Sequence, residues 1–332
     1  MSPDQKTEPL KVAAFWDTRP GHRKQTSGVL TALSARTPIV VHDFSLPYYS
    51  LGASVADWAK LVGHLAGLPV SVPHFEANRP VPPRFDLILG TGSHTHVPMT
   101  LFKRRLGGRL VTCMTPDPLL SGFFDLCLVP EHDRPKPREN VFLTLGPPNP
   151  SPKDGPHRTD TGLILVGGVD EKSHEWDPAA TVSQISAIAR NHPKVFWTVS
   201  SSPRTPADML PALERLTGLH SNLSFFRSAD TPPGWVEERY AESAFVWVTA
   251  DSVSMIYEAL TAGCVVGVMP VKWKKPDGKI PYGLQRLRDK GMIIDFDAWL
   301  KNPDDRPTPF CLDEAGRSAD EILRRFFPDR LK

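Results

Sequence analysis

Only four cysteines occur in 332 residues, Cys113, Cys127, Cys264 and Cys311, and no two form a CxxC pair. That spacing offers neither a thiolate zinc site nor a disulfide framework. Three of the four lie among apolar residues, as small buried thiols do in a reducing compartment. Long apolar runs are missing too: none approaches the ~18 residues of a membrane span. The opening segment, Met1 to Leu10, is polar and charged and lacks the apolar stretch of a secretory signal. A cytoplasmic protein is expected, with peripheral contact to the inner face of a membrane left open. An excess of one charge is also absent, since 39 Lys and Arg face 37 Asp and Glu for a net +2. So balanced a surface argues against a nucleic-acid partner. The densest basic cluster, Lys103, Arg104 and Arg105 with Arg109, reads first as a solvated helix face. None of the five tyrosines is followed four residues later by lysine, which excludes an epimerase of the short-chain dehydrogenase type. The Gly90–Gly92 pair has no third glycine to complete a dinucleotide fingerprint.

What is present is an ordinary globular composition, 40% hydrophobic and 23% charged, in a chain long enough for two domains. Short apolar runs alternate with helical patterns in the first half: Val12 to Trp16, Ile39 to Val41, Leu87 to Leu89, Leu110 to Cys113 and Leu126 to Val129. The pattern recurs later at Leu163 to Val166, Val195 to Val199, Leu223 to Phe226, Phe245 to Thr249, Val265 to Val268 and Met292 to Ile294. Buried strands of this kind, alternating with helices, predict parallel sheets covered on both faces. Between the halves, Gly146 to Thr161 is rich in Pro, Ser, Asn, Asp and Gly, a composition that resists helix and strand alike. The fold class expected is therefore α/β, with two Rossmann-like doubly wound domains, 1–150 and 151–332, facing a cleft. The last helix, about Asp313 to Phe327, carries an apolar stripe that would either cap its own domain or pack back on the first. In open α/β sheets ligands bind beyond the carboxyl ends of the strands, so chemistry is expected in those loops.

The strongest segment runs from Thr249 to Gly263, through Asp251, Ser252, Ser254, Met255 and Glu258. It leaves a strand, turns, opens a helix and ends on a glycine suited to a left-handed cap. Free amides at the helix start, with the Ser252 and Ser254 hydroxyls, would take a phosphate. Glu258, deeper in the helix, would accept ribose hydroxyls; the plainer alternative is a helix merely capped by Asp251 or Ser252. Gly167 and Gly168 follow a strand and allow close backbone approach to a ligand. Ser200 to Thr205 adds hydroxyls and Arg204, whose planar fork suits a diphosphate, although Thr205 could simply cap a helix from Pro206. The loop with Lys172, His174, Trp176 and Asp177 is unusually rich in reactive side chains. In the first half, Gly21 and His22 follow the first strand, and His22 is the first candidate for a general base. Glu131 and His132, also at a strand end, are the second candidates. The DxD spacing of Asp295 and Asp297 is better explained by a helix cap at Asp297, so no metal is expected to be required.

In combination these segments resemble the mitochondrial fission ELM family, whose bacterial relatives are grouped with glycosyltransferases of the GT-B type. The resemblance is carried by Pro20, Gly21 and His22 with Gln25, Asp86 to Gly92, Pro130 to Asp133, Gly167 and Gly168 with Trp176 and Asp177, Ser202 to Pro206, and Asp251 to Glu258. It implies a nucleoside-diphosphate sugar as donor, an envelope glycan or lipid as acceptor, and no further cofactor. It also assigns Glu258 to the donor ribose. Ala250 stands where the family commonly has glycine, and Pro203 interrupts a usual run of Ser and Arg. The plant relatives also imply an alternative, a noncatalytic adaptor on a membrane face. Nothing in the sequence signals an oligomer.

Overall fold

The computed structural model describes residues 8–46, 51–68, 77–303 and 309–331, so most of the polar opening segment lies outside the described residues. The chain divides into two compact units, residues 1–150 with 313–332, and residues 151–312.

In the first unit the elements are β1 (Leu10–Trp16), α1 (Pro20–Ser34), β2 (Ile39–Ser45), α2 (Leu51–Leu65), β3 (Leu87–Gly90), α3 (Ser93–Leu106), β4 (Arg109–Thr112), β5 (Leu126–Pro130) and β6 (Val141–Thr144). The described strands form a six-stranded sheet in the order β2-β1-β3-β4-β5-β6, and every pairing is parallel. Strand alternation sends Val12 and Ala14 of β1 to one face and Ala13 and Phe15 to the other. Both faces are apolar because both are covered, as a parallel sheet requires.

The second unit contains β7 (Arg158–Leu165), β8 (His174–Glu175), α4 (Pro178–Asn191), β9 (Phe196–Ser200), α5 (Leu210–Leu219), β10 (Leu223–Phe226), α6 (Trp235–Glu242) and β11 (Ser243–Thr249). It continues with α7 (Val253–Thr261), β12 (Val265–Met269), β13 (Lys272–Trp273), α8 (Lys279–Asp289), β14 (Ile293–Asp295) and α9 (Phe296–Lys301). Its main sheet runs β10-β9-β7-β11-β12-β14, again parallel throughout. Ile164, Trp197 and Val199 on the strands pack with Ile185 and Ile188 of α4 and Leu213 and Leu216 of α5. Each such side chain removed from water contributes about 1.5–3 kcal/mol.

The last helix, α10 (Glu314–Phe326), belongs to the first unit. Its Ala319, Ile322 and Leu323 join Val29 and Leu33 of α1 on the sheet face that holds Val12 and Leu87. Asp313 caps it by accepting from Gly316 N–H at 2.7 Å, and buried Glu314 accepts from Leu145 N–H at 3.1 Å and from Arg317. The helix is thereby tied to the end of β6. Cys113, Cys127 and Cys264 are buried free thiols, each pushed up to about 12 by burial, and Cys311 is an exposed one.

Two expected caps are absent. The 3-10 turn after Pro206 begins at Ala207 without a side-chain cap, because the Thr205 hydroxyl donates instead to the Gly167 carbonyl at 2.5 Å. Likewise α9 starts at Phe296, which places Asp297 inside its first turn, while Asp295 bonds Arg288 at 2.6 Å.

Candidate functional site

Each sheet reverses its direction of winding once, and at that point the loops leaving two adjacent strands diverge to open a crevice. In the second unit the reversal lies between β7 and β11. Gly167 and Gly168 leave β7, and Asp251 and Ser252 leave β11 to open α7. Here the Asp251 side chain is 1% exposed and forms an ion pair with Arg204, whose Nη2 donates to its Oδ2 at 2.7 Å. Gly168 N–H donates to the same oxygen at 3.1 Å. Arg204 Nη2 also reaches Ser252 Oγ at 3.2 Å. Its own side chain is 42% exposed, so the guanidinium is anchored on one side and open to solvent on the other. Asp251 Oδ1 is buried with no hydrogen-bond partner, an expensive state for a carboxylate oxygen.

The glycines are required for this closeness. A Cβ on Gly167 would stand 2.1 Å from Asp251 Oδ2, and one on Gly168 would stand 1.9 Å from the Arg204 carbonyl oxygen. The Gly167 carbonyl is held by the Ser202 hydroxyl at 2.9 Å and by Thr205, and its N–H by Thr249 Oγ1 at 2.7 Å. Neither Asp251 nor Ser252 caps α7, so the simple capping role does not account for them.

In the first unit the reversal lies between β1 and β3. Asp17 leaves β1, His22 sits in the first turn of α1, and Gly92 follows β3. His22 Nδ1 lies 2.5 Å from Asp17 Oδ2, with side-chain exposures of 20% and 4%. Thr18 Oγ1 and Arg19 N–H serve Asp17 Oδ1 at 3.2 and 3.4 Å. Burial works to raise the Asp17 pKa, but the bond and charge of His22 with the Arg19 and Thr18 contacts hold it below 3.8. An ionised carboxylate can only accept. The ring nitrogen facing it, Nδ1, is therefore the donor, and in a neutral imidazole Nε2 is then the acceptor. Gly92, at φ +115°, closes over the pair: a Cβ there would lie 2.3 Å from Asp17 Oδ2 and 2.8 Å from His22 Nδ1.

Asp17 and Gly92 carry no role that the sequence by itself assigns. A carboxylate five residues before a histidine, across a strand-to-helix turn, was the available signal. Glu131 and His132 occupy the 3-10 turn after β5, which β3 and β4 separate from β1. Gly21 has no neighbour that demands a glycine. Ser200 is buried and donates to the Ser201 carbonyl at 3.2 Å. Ser254 is exposed on the first turn of α7, Met255 is partly buried beside it, and Glu258 is 4% exposed on the inner side. Tyr240 is raised well above its usual pKa by burial first and by the Glu258 charge second.

Residues 20–326 match the sequence profile of the family described as mitochondrial fission ELM1. The chain belongs to the mitochondrial fission ELM1 family. No curated protein matches the sequence. Among solved structures, this ELM1-family chain is similar to a UDP-N-acetylglucosamine 2-epimerase candidate from Listeria monocytogenes, at TM-score 0.58 and 14% identity over 95% of both chains. The UDP-GlcNAc 2-epimerase from Neisseria meningitidis, bound to UDP-GlcNAc, gives 0.52 and 13% over 96% of this chain and all of that one. The glycotransferase of kitacinnamycin gives 0.51 and 13% over 96% and 99%. At these identities the likeness concerns the fold: two Rossmann-like α/β units of the GT-B type.

In the ELM1-family chain, His174, Trp176 and Asp177 have structural roles, while Lys172 is exposed. His174, 2% exposed, bonds the Gly168 carbonyl at 3.0 Å and Ser173 at 2.7 Å. Asp177 caps α4 through Ala180 N–H at 2.9 Å, and Trp176 packs on the core. His96 is fully buried beside Thr112 and is pushed down to about 4 by burial, so it stays neutral. Among the described residues no group of three His, Cys, Asp or Glu could hold a metal ion, and no helix is long and apolar enough to cross a membrane.

Proposed function

We propose that this chain is a glycosyltransferase that takes its sugar from a nucleoside-diphosphate donor, without a required metal, and gives it to a glycan or lipid hydroxyl. The observation that carries the reading is the Arg204 guanidinium, pinned by Asp251 beside Gly168 N–H and the uncapped start of α7. Such a cluster offers a diphosphate one fixed planar cation and the uncapped amides at the positive end of a helix, while Gly168 N–H helps to hold Asp251. Ser252 and exposed Ser254 would add hydroxyl donors, and the Glu258 carboxylate would accept the ribose hydroxyls. Similarity to a UDP-GlcNAc-bound fold relative supports a nucleotide-sugar ligand.

The first unit supplies the other half of the chemistry. His22 Nε2 accepts the proton of the acceptor hydroxyl as that oxygen bonds the anomeric carbon. The bond from that carbon to the diphosphate oxygen breaks, and the departing negative charge passes to Arg204, the backbone amides and the serine hydroxyls. Asp17 holds the tautomer and stabilises the imidazolium that forms. The acceptor would be an envelope component, handled in the cytoplasm or at the inner face of a membrane.

Isothermal titration with UDP, GDP, ADP and dTDP tests the donor site, comparing wild type with Glu258→Ala. One nucleotide binds the wild type and binds the variant more weakly. Failure of all four to bind wild-type protein at millimolar concentration would sink the reading.

A further inference from the structure

In the first unit the connection from β5 to β6 carries no long helix, only the 3-10 turn Glu131–Asp133 and an irregular stretch through Pro135 and Pro137. A cavity of about 300 Å³ lies beside it, lined by Pro116 and Pro118 after β4, Pro135 of the connection and Val141 of β6, with the buried Cys127 and Val129 of β5 also in its lining. Its wall includes Arg134, Lys136 and Arg138. These cations alternate with prolines in the sequence Arg134-Pro135-Lys136-Pro137-Arg138. All three cations line the cavity, and the intervening prolines restrict the backbone of the segment.

The cavity is held open by fixed contacts. Asn140 Nδ2 donates to the carbonyls of Ser121 and Phe124, both at 2.9 Å. Arg138 bonds Ser121 Oγ, and Thr115 Oγ1 donates to Asp133 Oδ2 at 3.0 Å, joining the loops after β4 and β5. Arg134 is in the left-handed region at φ +50°, a conformation that a non-glycine residue keeps only when its surroundings impose it. Against three cations the lining has a single carboxylate, Asp133.

We infer that this cavity binds an anionic amphiphile, a phosphate or carboxylate head on an apolar chain, as the anchor of the acceptor. The lining prolines and Val141 take the chain, and the guanidinium and ammonium groups take the head. The volume is at the lower end of small-ligand sites, so the cavity holds the part of a lipid next to its head. The inference rests on the acceptor role given to this unit. Met114 links the two places: its Sδ lies 3.1 Å from Gly92 N, over the Asp17–His22 pair, and the next residue, Thr115, lines the cavity.

Titration of the full chain with decyl phosphate, decanol and inorganic phosphate tests it, using wild type and the double variant Arg134→Asn with Lys136→Glu. Asparagine tolerates the left-handed backbone, and both positions are exposed, so the fold is retained. Decyl phosphate binds wild type more tightly than either fragment, and the variant loses about tenfold or more in affinity, as expected for lost charge-assisted bonds. The variant's nucleotide affinity and melting temperature stay at wild-type values, which separates this site from the donor site. Equal binding of decyl phosphate and decanol, equal binding of both proteins, or no binding by wild type would overturn the inference. Binding of inorganic phosphate as tightly as decyl phosphate would also overturn it, leaving a site for free anions alone.

Discussion

His22 Nδ1 stands 2.5 Å from Asp17 Oδ2 at the carboxyl end of the first strand, and the carboxylate is nearly buried while the imidazole keeps a fifth of its surface exposed. One partner is fixed and the other can meet a substrate. Asp17→Asn is expected to lower kcat by about 100-fold or more, in the range of a lost general base, with the donor KM little changed. His22→Ala should do the same, and the double variant no worse than either single one, since the two residues act as a unit. Steady-state kinetics on the three proteins checks this.

The same pair predicts an acid-sensitive stability. Asp17 has a folded pKa below its usual 3.8, so its contribution is fully present above pH ~4 and is lost as pH falls through the depressed value. Urea unfolding of wild type and Asp17→Asn between pH 3 and 6 should give a gap that is constant at the upper end and narrows toward pH 3. A gap that widens on acidification would contradict the assignment.

Gly92 has no tolerance for a side chain, because its φ is +115° and a methyl would meet Asp17 Oδ2 at 2.3 Å. Gly92→Ala should cost more than about 1 kcal/mol of stability and should reduce kcat by displacing the dyad. Thermal melting and kinetics measure the two effects. Gly21→Ala, with nothing near the added methyl, is the matched control.

Arg204→Ala removes the exposed guanidinium from the proposed diphosphate site and should weaken nucleoside-diphosphate affinity about 10- to 100-fold, as for a lost charge-assisted bond. Arg204→Lys should recover little, because a point charge cannot bridge Asp251 and a phosphate in one plane. Titration calorimetry reads both.

Helix α10 is expected to hold the first unit together. Ile322→Ala, at a fully buried position, should lower stability by about 2–5 kcal/mol. Denaturant unfolding provides the measurement, and a loss well under 1 kcal/mol would place the helix outside the core.

Much of this architecture was legible because a parallel sheet covered on both faces writes itself as short apolar runs. Every run expected to be a strand is one, from Val12–Trp16 to Val265–Val268. The short β8 and β13, by contrast, pair antiparallel over two residues each, too briefly for any periodicity. The loops of the candidate site were also legible from strand ends and glycines at Gly167, Gly168 and the turn after Thr249. Local chemistry misled at Thr205, which looks like a cap beside Pro206 but is drawn away by the Gly167 carbonyl. At His174 the composition suggested reactivity, and burial against Gly168 made it structural.

What the amino-acid order carried alone was the part of the protein governed by neighbours along the chain: strand and helix periods, the proline-rich break near residue 150, and the turns that place Gly, Ser and Asp at strand ends. What only the tertiary structure decided was which of those ends meet. Asp17 with Gly92, and Gly168 with Arg204 and Asp251, come together because each sheet reverses its winding between particular strands. Strand order is set by long-range burial, and no local pattern in the sequence encodes it.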